Sequence, residues 1–100
     1  MKKTKTNERI LYLTLKKKWY DMILSGEKTE EYREIKKYWT VRLKDFLVKK
    51  SFDYIIFKNG YAKNAPTMKV ELIKIDFGIS KLKWSDKEDN CYVLYLGEVI

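Results

Sequence analysis

Apolar residues along the chain fall into short runs and alternations that predict four main strands. The mostly apolar run Ile10–Leu15 predicts a buried first strand. Asp53–Lys58, rich in isoleucine and aromatic residues, predicts another, and the apolar segment Cys91–Val99 predicts a last strand lying centrally in the sheet. Met68–Phe77 alternates but its apolar side switches partway, which predicts a bulge or bend of the kind that barrel strands need, and Gly78 is expected to end it.

Two segments carry apolar residues at helical spacing. Leu15–Ser25 predicts a first helix, and Gly26 stands where a left-handed C-terminal cap belongs. Glu34–Lys50 predicts the longest helix. Its apolar face is Ile35, Trp39, Leu43, Phe46 and Leu47. Between the two helices, Thr29–Glu34 predicts a short, half-exposed strand.

Together these elements predict a single α+β domain, a small mixed or antiparallel β-barrel of five or six strands with two main helices. The length of 100 residues suits one domain, here 10–100, preceded by a basic, flexible N-terminus at 1–9. Asn59-Gly60 predicts a tight turn followed by a loop. Lys81–Asn90 is a charged excursion in which Trp84 is expected to fasten the loop to the barrel.

Composition narrows the chemistry. The chain has no histidine and a single cysteine, Cys91, which excludes the usual zinc sites, a Ser-His-Asp triad and a Cys-His pair. A magnesium or manganese site made of carboxylates stays open, but no metal or cofactor is predicted. No apolar run approaches the ~20 residues of a membrane-spanning helix, and no signal peptide is visible. A cytoplasmic protein without a membrane partner is therefore expected, in an oligomeric state that the sequence leaves open.

The charge balance favours a partner that carries phosphates. Basic residues number 22 and acidic residues 14, for a formal net charge of +8. Such a chain gains affinity for a polyanion because binding releases condensed counterions. A lysine-rich composition can also reflect an AT-rich genome, so the charge favours nucleic acid without establishing it.

The stretch from Gly26 to Arg33 is the best candidate for a site. On a strand, Glu31 and Arg33 point to one face and Tyr32 points to the other. Lys28 has the wrong parity to join them unless the turn redirects it, and a glycine makes such a bend easy. A converging lysine, glutamate and arginine would form a cationic pocket with one acceptor, suited to a nucleotide. The alternative is a solvated ion pair that contributes about 0–1 kcal/mol.

A second group of polar and aromatic residues follows the third strand. Its members are Lys58, Asn59, Tyr61, Lys63 and Asn64. Cations, amides and an aromatic ring are the groups that stack a base and read its edges, although an ordinary hairpin loop is an equal alternative. Trp19 could also stack on a base, but a tryptophan at helical spacing with Ile23 more often belongs to the core.

The motif Gly26-x-Lys28-x-x-Glu31-x-Arg33 resembles the G-x-K-x-x-E-x-R signature of ASCH domains, which are small relatives of the PUA RNA-binding domain. The strands before and after it, at 11–15 and 92–99, give it a similar context over nearly the whole chain. The resemblance implies a PUA-like barrel with helices packed on it. It also implies a cleft that holds the motif and receives RNA or a nucleotide-like ligand.

Some ASCH members are hydrolases that remove an acyl group from a modified cytidine, N4-acetylcytidine, with a lysine, a threonine and a distant glutamate. Others are linked to RNA cleavage. Lys28 matches the family's lysine, but Glu31 occupies the threonine's position. Thr29 lies two residues away on the same predicted strand face.

The expected function is binding of RNA or a nucleotide. Lys28 and Arg33 would hold a phosphate or a base carbonyl, Glu31 would accept from an exocyclic amine, and Tyr61 or Tyr32 would stack. Binding is favoured over catalysis because no activated nucleophile is evident.

A hydrolase acting on RNA or on a modified nucleoside is the alternative, with a protein-interaction domain as a third possibility. In the hydrolase, Lys28 would be the base or electrostatic stabiliser, Glu31 its acid/base partner, and Glu71 a second carboxylate.

Overall fold

The computed structural model describes residues 8–43 and 52–100. We number its regular elements in chain order. They are strand β1 (Ile10–Leu15), helix α1 (Lys17–Leu24), strand β2 (Glu30–Glu34), helix α2 (Lys37–Leu43), strands β3 (Tyr54–Asn59) and β4 (Thr67–Ile79), a 3-10 turn (Leu82–Trp84) and strand β5 (Asn90–Val99). The α+β class with two helices is confirmed.

The five strands form one curled, mixed sheet, a half-barrel, in the order β1-β3-β4-β5-β2. Strands β1 and β3 are parallel, and the other neighbouring pairs are antiparallel. The curl brings the edge strands β1 and β2 close enough for a side chain to join them. The Arg33 guanidinium on β2 donates to the main-chain oxygen of Thr14 on β1 at 3.3 Å. We call this gap between β1 and β2 the seam.

The core fills the inside of the curl. Five side chains from four elements are completely buried there: Leu43, Ile55, Phe57, Val70 and Leu94. Burial of each such side chain contributes about 1.5–3 kcal/mol. Strand β5 has a paired strand on both sides, as its apolar sequence predicted.

Strand β4 contains the predicted bulge. Its register against β5 shifts on both sides of Leu72, and after the shift Ile73 is 54% exposed while Ile75 is buried. The bulge that was predicted from the switch of apolar side in the sequence is therefore confirmed by the register shifts. The prediction that the strand ends at Gly78 is wrong: it continues to Ile79 because pairing with β5 extends to Asn90.

Helix α2 begins at Lys37, three residues later than predicted, because β2 continues through Glu34. Ile35 consequently lies outside the helix and is 48% exposed, whereas Trp39 packs against the core. The Thr40 hydroxyl shares a 2.6 Å hydrogen bond with that of Tyr92, which ties α2 to β5. The rest of the predicted helix, 44–50, lies outside the described residues.

The chain is fastened to the sheet from Glu8 onwards. Lys69 bonds to the Glu8 carboxylate at 2.8 Å, and the Arg9 guanidinium bonds to Asp53 at 3.2 Å. The remainder of the predicted flexible N-terminus lies outside the described residues. Neither α1 nor the described part of α2 is long and apolar enough to cross a membrane.

The turn after α1 sets the direction in which β2 begins. Gly26 has a φ of +86°, and its N–H donates to the carbonyl of Ile23 at 3.0 Å. Two residues later, the Lys28 N–H donates to the carbonyl of Met22, also at 3.0 Å. The predicted left-handed cap is confirmed, and it folds the chain back against the end of the helix.

We expect Gly26→Ala to lower the free energy of unfolding by about 1–2 kcal/mol, because a Cβ is disfavoured at a positive φ. The cost comes from the backbone, since an added Cβ would meet no atom within 4 Å. Gly26→Asn should cost less, because asparagine tolerates the left-handed region. Urea unfolding measures both variants. An unchanged midpoint for Gly26→Ala would contradict the strained turn.

Candidate functional site

Three charged side chains converge next to the seam. Glu31 lies in the middle: its Oε1 accepts from the Lys28 ammonium at 2.8 Å, and its Oε2 accepts from Arg33 Nη2 at 2.8 Å. The three side chains are 1%, 8% and 18% exposed for Lys28, Glu31 and Arg33. We call them the charged triad, which carries a formal charge of +1 in a mostly buried place.

The local sequence explains the convergence. Glu31 and Arg33 are two apart on β2, so their side chains share the face that looks into the curl. Lys28 precedes the strand, which begins at Glu30, and therefore does not obey its alternation. The bend at Gly26 turns the lysine towards Glu31, and this is the redirection that the parity of the sequence required for the three to meet.

Aromatic rings surround the buried ammonium of Lys28. Its nitrogen lies 5.3 Å from the centroid of Trp19 and 5.1 Å from that of Tyr32. Ring faces attract a cation and replace part of the water that burial removes. Removing either charge of such a pair leaves the other one buried and uncompensated, which costs more than the pair itself contributes.

Arg33 is only partly satisfied. Nη2 makes both of its hydrogen bonds, to Glu31 and to the Thr14 carbonyl, and the guanidinium carbon lies 5.0 Å from the centroid of the Trp39 ring. Nε is buried and has no hydrogen-bond partner among the described residues. An unpaired buried donor costs about 1–3 kcal/mol, so its presence here needs an explanation.

Three cavities adjoin the triad, and two of them are lined by its central Glu31. The seam cavity has a volume of about 370 Å³ and is lined by Thr14, Leu15, Lys16, Trp19, Glu31, Tyr32, Arg33, Gly60 and Tyr61. The flank cavity, about 220 Å³, is lined by Trp19, Lys28, Glu31, Tyr32, Trp84, Ser85, Asp86 and Lys87. The first lies at the low end of the range of about 300–1,000 Å³ for small-molecule sites. Arg33 borders the seam cavity and a third, smaller cavity of about 100 Å³. Lys28 borders the flank cavity, and Glu31 borders both the seam and the flank cavity.

Tyr32 lines all three cavities, while its hydroxyl is hydrogen-bonded to a neighbouring carboxylate. The hydroxyl donates to the Glu30 carboxylate at 2.8 Å, which also accepts from Lys81 at 2.9 Å. Burial, followed by this hydrogen bond, raises the pKa of Tyr32 well above its ordinary value. The phenol is therefore neutral at physiological pH, and its hydroxyl proton is already committed to Glu30.

The predicted loop residues divide between the site and its surroundings. Tyr61 lines the seam cavity and is 89% exposed. Lys58 and Asn59 are the last residues of β3 and do not line it, and Lys63 and Asn64 are exposed further along the loop. The sequence grouped all five, but the structure brings only Tyr61 to the cavity beside the triad.

The structure places the additional groups of the hydrolase hypothesis away from the triad. Glu71 pairs in register with Tyr54, at the start of β3, whereas the seam cavity lies beyond the end of that strand. The five-residue step along β3 from Tyr54, the partner of Glu71, to Asn59 at the end of the strand corresponds to roughly 16 Å. Thr29 is exposed and lines neither the seam cavity nor the flank cavity. Within 8–43 and 52–100, no three acidic or cysteine side chains cluster in a way that could hold a metal ion.

Sequence reasoning missed two parts of the site and left a third open. For Trp19 it favoured the core over base stacking, and the residue packs against the core and also lines the seam and flank cavities. No sequence signal separates these roles, since the same helical spacing serves either one. The Thr14 carbonyl is a main-chain atom that every residue carries. Trp39, predicted to face the core, also stacks on Arg33.

We expect Glu31→Gln to destabilise the fold by about 3–5 kcal/mol, because it leaves Lys28 and Arg33 without an anion. Lys28→Met should cost less, since Glu31 keeps its bond to Arg33 and the triad loses its excess charge. Chemical unfolding of both variants gives the order. A smaller loss for Glu31→Gln than for Lys28→Met would contradict the central role of the carboxylate.

Comparison with known proteins adds no relative: no protein-family model, curated protein or solved structure matches the chain. The ASCH resemblance therefore stays a prediction that depends on the motif and its context.

Proposed function

We propose that this protein is an RNA- or nucleotide-binding domain of the ASCH type, with a PUA-like barrel, and that its ligand enters the seam cavity. The observation that carries the proposal is the charged triad itself. A buried carboxylate holds two cations, which leaves a net positive charge beside a cavity with aromatic walls.

The hydrogen-bonding groups of the charged triad that still lack a partner indicate the chemistry of the ligand. Both oxygens of Glu31 already accept hydrogen bonds, so its main role is to position Lys28 and Arg33. Arg33 retains a buried donor without a partner among the described residues. A phosphate oxygen or a base carbonyl supplies the missing acceptor, and a charged donor makes such a bond stronger than a neutral one does.

The cavity walls suit a flat ring. Trp19 and Tyr61 both line the cavity, and aromatic side chains stack on any base. The volume suits one nucleotide unit of a single strand, whose bases are free to leave the stack. The hydrolase alternative lacks support of this kind, because Thr29 and Glu71 do not line the cavity.

We expect the protein to bind single-stranded RNA of about eight nucleotides, with an affinity that falls steeply between about 50 and 200 mM salt. Fluorescence anisotropy measures the binding, and chromatography of the same samples shows whether the RNA or added N4-acetylcytidine has changed. Intact products with salt-sensitive binding are the expected result. Turnover would establish a hydrolase instead, and absence of both binding and turnover would contradict the proposal.

Tyr61→Ala separates binding from folding, because the Tyr61 side chain is almost fully exposed. Loss of one base-stacking ring should weaken RNA binding by about 1–3 kcal/mol and leave thermal unfolding unchanged. Tyr12→Ala is the matched control, since Tyr12 is 69% exposed and lies outside the seam cavity. Equal affinities for the two variants would show that the ligand does not contact Tyr61.

A further inference from the structure

We infer that the seam cavity takes a single base bearing a carbonyl oxygen, while the phosphates of the strand stay outside on Lys16 and Lys18. The inference rests on the proposed function and deepens it. It makes the partner a single-stranded polynucleotide rather than a free nucleotide, and it makes adenine the disfavoured base.

The first step is the polarity of the cavity. Apart from the triad and the largely exposed Lys16, its side-chain lining is largely apolar or aromatic, with Leu15, Trp19 and Tyr61 among its walls. Placing a phosphate there removes most of its water, and the triad's single net charge compensates for only part of that loss. A base leaves less hydration behind and stacks on the rings, so the base is the better occupant.

The second step is the direction of the hydrogen bonds. At the triad the cavity is lined by Arg33, whose buried Nε–H has no partner among the described residues, and by a carboxylate whose two oxygens each already accept a charged bond. The base edge must therefore present an acceptor to Arg33. Uracil, cytosine and guanine each carry a carbonyl oxygen. Adenine carries no carbonyl: its acceptors are ring nitrogens, and the exocyclic amine beside N1 and N7 is a donor that would face the Arg33 donor.

The third step places the phosphates. Lys16 lines the cavity and is 78% exposed, and the Lys18 ammonium lies 4.5 Å from the centroid of Trp19, another wall. Asp86 faces Lys16 only loosely, at 3.7 Å between two largely exposed groups. Lys17 is held at 2.6 Å by Asp21, so its charge is partly neutralised. Lys16 at the cavity and Lys18 beside the Trp19 wall thus supply two cations for the phosphates on either side of an inserted base.

The experiment compares oligomers of about eight nucleotides made only of uridine, only of adenosine or only of inosine, with uridine monophosphate as the single unit. Inosine is the matched control for adenosine, because it keeps the purine frame and replaces the amine with a carbonyl. We expect the uridine and inosine oligomers to bind at least about tenfold more tightly than the adenosine oligomer. The monophosphate should bind more weakly than the uridine oligomer.

Binding of the uridine oligomer weakens with salt, and the salt slope is the steepness of log affinity plotted against log salt concentration. The double variant Lys16→Ala/Lys18→Ala should make this slope shallower by about 1.4, roughly 0.7 for each phosphate that a lysine no longer neutralises. The preference for inosine over adenosine should survive. Lys74→Ala/Lys83→Ala is the control. It removes the same charge, but neither lysine lines the seam cavity, and the rings over which they lie, Tyr95 and Trp84, are not among its walls. It should leave the slope nearly unchanged.

The outcomes separate this inference from the function on which it rests. Equal affinity for the adenosine and inosine oligomers would overturn the base assignment while leaving RNA binding intact. A monophosphate that binds as tightly as the oligomer, or a salt slope untouched by the Lys16/Lys18 change, would overturn the phosphate path. Absence of binding by every probe would overturn the proposed function together with the inference.

Discussion

The hydrogen bonds that Glu31 accepts from Lys28 and Arg33 are the interaction on which the rest of the site depends. The sheet curls without pairing β1 to β2, and Arg33 reaches across that seam to the Thr14 carbonyl. Glu31 fixes the guanidinium in the position from which it does so. One carboxylate therefore both neutralises a buried lysine and positions the side chain that bridges the two edge strands.

This arrangement lowers stability, a cost that the proposed ligand binding would explain. A core of the same shape made of apolar residues would avoid the cost of removing three charges from water. The buried Nε of Arg33 adds a further cost, and only a ligand or a rearrangement could recover it. Proteins that retain such costs commonly do so at functional sites. The aromatic residues around the triad partly replace the water that its charges lose on burial, and they also form walls of the seam cavity.

Much of the fold could be predicted because it depends on local patterns. The bounds of β1 match those predicted from its apolar run, the bulge in β4 follows the switch of apolar side, and Gly26 caps its helix. The parity of β2 correctly placed Glu31 and Arg33 on one face, and the need for a bend at Lys28 was correct as well. Distances between strands could not be predicted. The separation of Glu71 from the site depends on the register of β3 with β4, and the contact of Arg33 with Thr14 depends on the curl.

The most direct test of the account is NMR observation of the arginine Nε–H groups while a short single-stranded RNA is added. The chain has only three arginines, Arg9, Arg33 and Arg42, so the signals can be assigned with single-residue variants. The account predicts that the Arg33 signal shifts in a saturable way, because the ligand supplies the acceptor that Nε lacks, and that the Arg9 signal does not move. Bound RNA with an unshifted Arg33 signal would contradict it, since the ligand would then not supply the acceptor that Arg33 Nε lacks.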